Sequence, residues 1–336
     1  MKYALVTGGA GFIGSNYINH SVPKEDFHYV NLDALTYAGD TRNISVSDAE
    51  NYTFVKGDIC NEGLVAKLFQ QYKFEKVIHF AAESHVDNSI TNPAAFIDTN
   101  IRGTFNLLHA AYSLWMGGTF ELKKDFANAR FLHVSTDEVY GTLGEEGLFT
   151  ETTPYAPNSP YSASKASSDM LVRSFFHTYG MPVVTTNCSN NYGPLQHNEK
   201  LIPTIIRKAL NNEPIPIYGD GKNVRDWLYV LDHCKGINLV LEKGKLGETY
   251  NIGGRNERTN NYIAQKICSV LDEKKPKADG ASYSDLISYV KDRAGHDFRY
   301  AIDASKLENE LGWKADENFE SGILKTIDFY IERYSS

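Results

Sequence analysis

A glycine-rich loop directly after the first apolar segment constrains the fold of this chain more than any other feature. Residues 2–7 form a short apolar run, and glycines follow at positions 8, 11 and 14 as a helical pattern begins. In this context the first glycine permits a tight turn, the second a close backbone approach to a pyrophosphate, and the third close packing of helix on strand. The spacing is G-x-x-G-x-x-G, and it predicts a dinucleotide-binding loop.

Short apolar segments alternate with helical ones along the first half of the chain. The β-type runs are residues 2–7, 28–33, 52–56, 76–82, 130–135 and 182–187. This alternation is typical of βαβ units, in which helices cover both faces of a parallel sheet. Two helical patterns, one after Pro93 and one over residues 161–179, should lie side by side on that sheet. We therefore predict an α/β fold with a doubly wound, Rossmann-type parallel sheet.

A second, smaller domain is expected because the residue composition changes after about residue 190. Proline, glycine and asparagine punctuate short segments there, and a long apolar pattern returns over residues 226–242. A chain of 336 residues also exceeds the usual size of a single core. We predict a dinucleotide-binding domain of residues 1–189 and about 222–249, and a smaller α/β substrate-binding domain of about residues 190–221 and 250–336.

An acidic residue at the end of the second predicted strand indicates which dinucleotide is bound. Asp33 lies about 20 residues beyond the glycine loop, where a carboxylate accepts hydrogen bonds from the adenosine ribose. It would repel a 2′-phosphate, and no arginine follows at once, so NAD is favoured over NADP. Asp58-Ile59 and Ala81-Ala82 follow the third and fourth strands, where adenine and ribose contacts are expected. The alternative is that the glycines only form a turn and that Asp33 caps a loop.

Tyr161 and Lys165 are four residues apart on a predicted helix, so their side chains share one face. A tyrosine base must ionise well below its usual pKa of about 10, and a lysine ammonium and an oxidised nicotinamide nearby would lower that pKa. Tyr161 could then take a proton from a sugar hydroxyl as hydride leaves the same carbon, with Thr136 orienting the hydroxyl and Ser135 as the alternative. The alternative is that Tyr-x-x-x-Lys is an ordinary surface pattern of a helix.

Asp137 and Glu138 form an adjacent acidic pair at the end of a predicted strand. Neighbours in a strand point to opposite faces, so both can enter one pocket only if the strand has ended and turned. Such a pair suits elimination, because one carboxyl kept protonated serves as acid while its ionised neighbour serves as base. The structural alternative is that Asp137 caps the next turn and Glu138 is solvated.

The net charge of the chain and the spacing of its cysteines restrict the kinds of ligand and partner that it can bind. The net charge is −8, and no basic run suggests nucleic-acid binding. The four cysteines are widely spaced without a C-x-x-C motif, which favours reduced thiols over a metal site or disulfides. No signal-peptide pattern precedes the first strand, and no apolar run approaches a membrane span. We expect a cytoplasmic protein with no metal and no membrane partner.

Taken together, these motifs resemble the extended short-chain dehydrogenase/reductase family, especially its nucleotide-sugar dehydratases, over almost the whole chain. The segments that carry the resemblance are residues 7–14, 81–87, 135–140, 161–169, 187–194, 199–203, 225–230 and 292–296. The resemblance implies tightly bound NAD, oxidation at C4 with Tyr161 as base, removal of the C5 proton by Glu138, and protonation of the C6 hydroxyl by Asp137. Water then leaves, and hydride returns to C6 to give a 4-keto-6-deoxy sugar.

The same resemblance implies two sets of binding residues and a homodimer that pairs residues 99–112 and 166–179 with those of a second copy. The implied cofactor contacts are Gly8, Gly11, Phe12, Ile13, Gly14, Asp33, Leu35, Thr36, Asp58, Ile59, Ala81, Ala82, Ser84, Thr99, Tyr161, Lys165 and Asn191. The implied substrate contacts are Ser84, Thr136, Asn190, Lys200, Leu201, Pro216, Ile217, Tyr218, Arg225, Asn260, Arg293 and His296. Three of the latter are cations suited to a diphosphate, although each alone could be a solvated surface charge.

Several positions depart from the family pattern and bear on the nucleotide. Asn88 stands in place of an expected arginine, Ala294 in place of proline and Phe298 in place of a basic residue, and residues 195–198 differ from the usual aromatic-His-Phe-Pro run. dTDP-glucose is the first expectation for the substrate, and UDP-glucose and CDP-glucose stay open. Two further alternatives are a nucleotide-sugar 4-epimerase, which needs no acidic pair, and a non-catalytic NAD-binding module, which needs no Tyr/Lys pair.

Overall fold

The computed structural model describes residues 1–24, 26–292 and 297–335. The strands are β1 Lys2–Thr7, β2 Phe27–Asp33, β3 Tyr52–Lys56, β4 Lys76–His79, β5 Met116–Gly118, β6 Glu121–Leu122, β7 Arg130–Thr136, β8 Val183–Cys188, β9 Asn190–Tyr192, β10 Ile215–Tyr218, β11 Val224–Tyr229, β12 Thr249–Ile252, β13 Glu257–Thr259, β14 Ile287–Val290 and β15 Arg299–Tyr300. The α-helices are α1 Phe12–Ser21, α2 Glu62–Tyr72, α3 Val86–Thr91, α4 Pro93–Phe96, α5 Thr104–Trp115, α6 Pro160–Tyr179, α7 Leu201–Leu210, α8 Val230–Lys243, α9 Asn260–Lys274, α10 Ser305–Leu311 and α11 Phe319–Ser335. A π-helical segment, Ile97–Gly103, joins α4 to α5.

Seven strands form one parallel sheet in the order β12-β8-β7-β4-β1-β2-β3. The apolar strand residues are buried on both faces: one core packs the sheet against α1 and α8, and another packs it against α2, α5 and α6. This confirms the predicted doubly wound α/β fold. The strand order reverses between β1 and β4, and a crevice at the carboxyl ends of the strands is the usual ligand site of such a sheet.

One predicted strand is shorter in the structure, and the predicted helix pairing is confirmed. The fourth strand, expected over residues 76–82, ends at His79 because the chain then passes close to the glycine loop, where Ala81 N would lie 2.6 Å from a Cβ on Gly8. The predicted helices after Pro93 and over 161–179 do lie side by side, with the rings of Phe105 and Phe175 in edge contact.

α6 carries the Tyr161–Lys165 pair, and its ends follow from its sequence. Ser159 and Ser162 form a capping box at the start, with Pro160 in the first turn. Gly180, in the left-handed conformation with φ 69°, ends the helix. The helix is therefore fixed in register, and Tyr161 in its first turn is held at the edge of the sheet.

The smaller region is built on β9, β11, β13 and β15, on the β10–β14 pair, and on α7, α9 and α11, which share a second core. α8 returns to the large sheet and packs against α1, as the apolar pattern over residues 226–242 indicates. β12 extends the large sheet to Ile252, slightly beyond the boundary expected near residue 249. Within the described ranges, no helix has the length and apolar character needed to cross a membrane.

Candidate active site

The glycine loop between β1 and α1 forms one wall of a large cavity at the carboxyl ends of the strands. Gly8 has φ 71°, a conformation that L side chains rarely adopt, and a Cβ on Gly14 would lie 2.3 Å from the Gly8 carbonyl oxygen. Both positions therefore require glycine. α1 begins at Phe12 without a side-chain cap, so its first N–H groups are open toward the cavity. A backbone cradle at a helix N-terminus suits a pyrophosphate, so these residues fit NAD.

Asp33 forms the far end of the same cavity, at the end of β2. One carboxylate oxygen accepts a hydrogen bond from Ala10 N at 2.9 Å, and the other accepts one from Leu35 N at 2.8 Å. These bonds fix the carboxylate between the glycine loop and the loop after β2. Its remaining lone pairs are available to ribose hydroxyl groups.

The acidic pair lies on a single 3₁₀ turn, Asp137–Tyr140, that follows β7 directly. The turn forms because the Thr136 hydroxyl accepts a hydrogen bond from Glu138 N at 3.3 Å, and Gly141 ends it with φ 93°. Asp137 and Glu138 both line the cavity as a result. The condition set by the sequence, that the strand must end and turn before the pair, is met.

Burial differs between the two carboxyl groups and raises the proton affinity of Asp137. Asp137 is 1% exposed, and its Oδ2 has no hydrogen-bond partner among the described residues. Desolvation, followed by the charges of Glu138 and Asp226, raises the pKa of Asp137 well above its usual value. Glu138 is only partly buried. The pair can therefore hold one proton on Asp137 while the neighbouring carboxyl is ionised.

Tyr161 and Lys165 face the cavity from α6, and both are almost fully buried. Lys165 Nζ donates to the Val134 carbonyl oxygen at 2.8 Å. Burial, and then the charge of Glu138, raises the pKa of Tyr161 well above 10, while a hydrogen bond with Thr136 opposes this rise. Burial also lowers the pKa of Lys165. Tyr161 is thus a phenol, and its ionisation depends on positive charge brought close to it.

The structure brings most of the predicted cofactor residues to this cavity, together with the predicted catalytic set. They are Gly8, Gly11, Phe12, Ile13, Gly14, Asp33, Thr36, Asp58, Ile59, Ala81, Ala82, Ser84, Thr99, Thr136, Asp137, Glu138, Tyr161, Lys165 and Asn191. Leu35 does not line it and contributes instead the N–H bound to Asp33. Gln196 and His197, in a segment that departs from the family pattern, also lie in the cavity wall.

The predicted substrate residues divide into three groups. Ser84, Thr136, Asn190 and Lys200 line the cavity, and Lys200 Nζ donates to the Ser84 carbonyl oxygen at 3.3 Å. Arg293 and His296 lie outside the described residues. The structure does not bring the remaining six to the cavity wall, namely Leu201, Pro216, Ile217, Tyr218, Arg225 and Asn260.

Two of those six residues have other contacts that explain their placement. Ile217 is fully buried in the core of the smaller region, so its side chain packs there and does not line the cavity. The guanidinium of Arg225 donates to the carbonyl oxygens of Asp297 at 2.9 Å and Phe298 at 3.2 Å and lies 4.3 Å from the Tyr300 ring centroid. Arg225 therefore holds the segment leading into β15.

Several cavity residues were not foreseen from the sequence. Glu83 and Glu199 line the wall, and burial with the charge of Glu199 raises the pKa of Glu83. Cys188, at the end of β8, is buried beside the cavity. All three lie in segments that carry the family resemblance, residues 81–87, 187–194 and 199–203, so their neighbourhood was a signal although no role was predicted for the residues themselves. Among the described residues, no cluster of three or more histidine, cysteine or carboxylate side chains could hold a metal ion.

Comparisons with known proteins agree with this geometry. A family model described as GDP-mannose 4,6 dehydratase matches residues 5–326. A curated dTDP-glucose 4,6-dehydratase of Xanthomonas campestris is 58% identical over 97% of this chain and 92% of its own. A crystal structure of dTDP-glucose 4,6-dehydratase from Bacillus anthracis in complex with NAD has a TM-score of 0.86 and 44% identity and covers 100% of this chain and 98% of that one. The DesIV dTDP-glucose 4,6-dehydratase of Streptomyces venezuelae, with NAD bound, has a TM-score of 0.89 and 42% identity over 99% of this chain and 98% of that one.

The parallel sheet, the glycine loop and the Tyr161–Lys165 pair define the class of protein as an extended short-chain dehydrogenase/reductase. Within that class, the chain belongs to the GDP-mannose 4,6 dehydratase family, whose model spans nearly all of it.

Proposed function

We propose that this protein dehydrates dTDP-glucose to dTDP-4-keto-6-deoxyglucose with NAD retained in the cavity. The observation that carries the proposal is the convergence of Thr136, Asp137, Glu138, Tyr161 and Lys165 on the cavity that begins at the glycine loop. A dehydrogenase alone needs only the hydroxyl, tyrosine and lysine. The buried acidic pair supplies what elimination of water requires in addition.

Each side chain has a role that its surroundings support. Bound NAD supplies a hydride acceptor and, later, a hydride donor. Tyr161 takes the proton of the C4 hydroxyl, which Thr136 orients by hydrogen bonding. Lys165 supplies positive charge, which favours the phenolate.

The acidic pair carries out the elimination. The C4 ketone acidifies the C5 hydrogen, and Glu138 removes that proton. Asp137, kept protonated by burial and by the charge of Glu138, gives its proton to the C6 hydroxyl as water leaves. The unpartnered Oδ2 of Asp137 is the atom available for that contact. Neither carboxyl needs to exchange protons with bulk solvent before the elimination step.

The substrate assignment rests on the relatives, because each one reported above at 42–58% identity is named a dTDP-glucose 4,6-dehydratase. Substrate contacts are proposed for Ser84, Asn190 and Lys200 at the cavity wall. UDP-glucose and CDP-glucose are the alternative substrates, since Gln196 and His197 depart from the usual pattern in the wall itself. A 4-epimerase reaction needs no acidic pair, so that alternative gives the pair no chemical role.

The test is incubation with dTDP-glucose, UDP-glucose and CDP-glucose in turn, without added NAD, followed by mass spectrometry. Loss of one water from dTDP-glucose, faster than from the other two, is expected. Unchanged mass with an inverted C4 centre contradicts dehydration and favours an epimerase. Faster loss of water from UDP- or CDP-glucose reassigns the nucleotide.

We further propose a cytoplasmic homodimer formed through α5 and α6. Ile97, Phe105 and Met170 are 56%, 43% and 49% exposed on these neighbouring helices and the segment before them. Exposed large apolar side chains on neighbouring elements are typical of an interface. Four cysteines without a disulfide support a reducing compartment.

A further inference from the structure

Asp169 is a buried carboxylate directly behind the Tyr161–Lys165 pair, and the proposed reaction does not use it. The three residues follow one another at intervals of four along α6, so they share one face of the helix. Asp169 is 3% exposed. A buried carboxylate next to a proposed catalytic pair needs an explanation, because buried charges in proteins are paired and hydrogen-bonded.

Three donors hold this carboxylate. Ser135 Oγ donates to Oδ2 at 2.9 Å and Tyr155 Oη donates to the same oxygen at 3.0 Å. His133 Nε2 lies 3.0 Å from Oδ1. This number of donors favours an ionised carboxylate even though burial raises the pKa of Asp169 to about 6.

His133 lies between Asp169 and Lys165 but cannot itself balance the lysine charge. The ring is fully buried, and burial together with Lys165 lowers its pKa well below 6.5, so it is neutral. Its Nδ1 has no hydrogen-bond partner among the described residues, so the proton is expected on Nε2, facing Asp169. The same Nε2 is 3.5 Å from Lys165 Nζ.

The ammonium of Lys165 therefore depends on a nearby negative charge. The other titratable groups around it are His133 on β7, His79 on β4, Cys188 on β8 and Tyr161 on its own helix. Asp137 and Glu138, on the turn after β7, act on Tyr161 from the cavity. Of the groups that favour the protonated form of Lys165, Asp169 is the one that has a carboxylate. Its negative charge opposes the lowering of the Lys165 pKa that burial causes.

We propose that Asp169 is a positioning residue that keeps Lys165 protonated and fixes its ammonium against the Val134 carbonyl, so that Tyr161 can ionise. The inference rests on the proposed function. It assigns to the chain a pH limit on the acidic side, set by ionisation of Tyr161. Where Asp169 is neutral, Lys165 loses its counter-charge and Tyr161 ionises only at higher pH.

The experiment compares Asp169→Asn with the native enzyme in the pH dependence of C4 oxidation of dTDP-glucose, read as absorbance of the reduced cofactor and as kcat. The asparagine keeps the size of the side chain and removes its charge. We expect kcat at pH 7 to fall about tenfold or more, with the acidic limb of the profile about one pH unit or more higher. KM and NAD retention should change by less than about threefold, because Asp169 contacts neither ligand.

Two further variants separate an electrostatic role from a merely structural one. Arginine stays protonated without help, so adding Asp169→Asn to Lys165→Arg should leave the acidic limb of Lys165→Arg unmoved. Asp232→Asn is the matched control, since Asp232 is a buried carboxylate on α8 paired with Lys235. The acidic limb of the pH profile of this variant should stay at the native pH.

The inference is overturned if Asp169→Asn folds, retains NAD and keeps the native limb, or if it shifts the limb equally in the native and Lys165→Arg backgrounds. Should Asp169→Asn not fold, Tyr155→Phe decides. It removes one donor from the carboxylate, which raises the pKa of Asp169, so a smaller shift in the same direction is expected and no shift overturns the inference. Native enzyme that fails to dehydrate dTDP-glucose contradicts the proposed function instead, before any variant is compared.

Discussion

At the scale of single residues, the proposed elimination requires two neighbouring carboxyl groups in different protonation states. Asp137 is fully enclosed and Glu138 is only partly buried, although they are adjacent in the chain. The 3₁₀ turn after β7 creates this difference, because it brings both side chains into the cavity wall at different depths. Two adjacent carboxyl groups in the sequence are thus held in different environments in the fold, as the proposed acid and base require.

Glu138→Gln should separate oxidation from elimination. The amide cannot take the C5 proton, whereas Tyr161 and Lys165 are unchanged, so C4 oxidation should persist. We expect transient absorbance of the reduced cofactor together with a loss of dehydration of about a hundredfold or more. Stopped-flow absorbance and mass spectrometry of the sugar nucleotide measure the two. Equal loss of both signals would remove Glu138 from the elimination step.

Asp137→Asn should lose dehydration yet stabilise the fold. Because the folded-state pKa of Asp137 lies above the unfolded value of about 3.9, the native carboxyl favours folding at low pH and loses that contribution as pH rises. A neutral asparagine has no such dependence. Urea unfolding should show a gain on the order of 1–3 kcal/mol at pH 8 and a smaller one at pH 5. A loss of stability that is the same at both pH values would contradict this ionisation.

At the scale of elements, the glycine loop shows how tightly β1, α1 and the segment after β4 pack at the cofactor end. A Cβ at Gly14 has no space, and Gly8 combines a crowded position with a positive φ. These restrictions were predictable from the glycine spacing alone, since strand, loop and helix occur in the order that the motif requires.

Gly14→Ala should therefore weaken both the fold and NAD retention. Relief of a 2.3 Å contact with the Gly8 carbonyl oxygen must displace the loop, at a cost of about 1–3 kcal/mol. Thermal unfolding and the NAD content of the purified protein measure the effect. Gly144→Ala is the matched control, because a Cβ there meets nothing within 4 Å. Equal behaviour of the two variants would contradict the packing argument.

Some predictions about the site were not met, and in each case the reason is the packing of one strand or segment. Alternation along β10 places Ile217 on the opposite face from Pro216 and Tyr218, so the three cannot all present side chains to one ligand. Arg225 binds the carbonyl oxygens of Asp297 and Phe298, and a contact over such a chain separation leaves no local pattern. The early end of β4 at His79 likewise follows from packing against the glycine loop.

At the scale of the whole molecule, the predicted parallel sheet and the return of the chain through α8 follow from the pattern of apolar segments, whereas the strand order is seen only in the structure. The oligomeric state depends on the exposed surface, and the apolar side chains on α5 and α6 are exposed in the single chain. On its inner side, α6 carries Tyr161 and Lys165 to the cavity and Asp169 directly behind them. Dimer formation would therefore brace the helix that holds the catalytic pair.

The double variant Phe105→Glu, Met170→Glu should convert a dimer to a monomer, because two charges would be buried in an apolar interface. Sedimentation velocity at micromolar protein measures the state. Leu324→Glu is the control, since Leu324 is 40% exposed on α11, away from this face, and the dimer should persist. Native protein that sediments as a monomer at the same concentration would contradict the proposed interface.

The most direct test follows the hydrogen on C4 of the substrate. If oxidation, elimination and reduction occur in one closed cavity, dTDP-glucose deuterated at C4 should yield a 4-keto-6-deoxy product that carries the deuterium at C6. NMR of the product locates the label. Deuterium that remains at C4, or that is lost to solvent, would contradict the account.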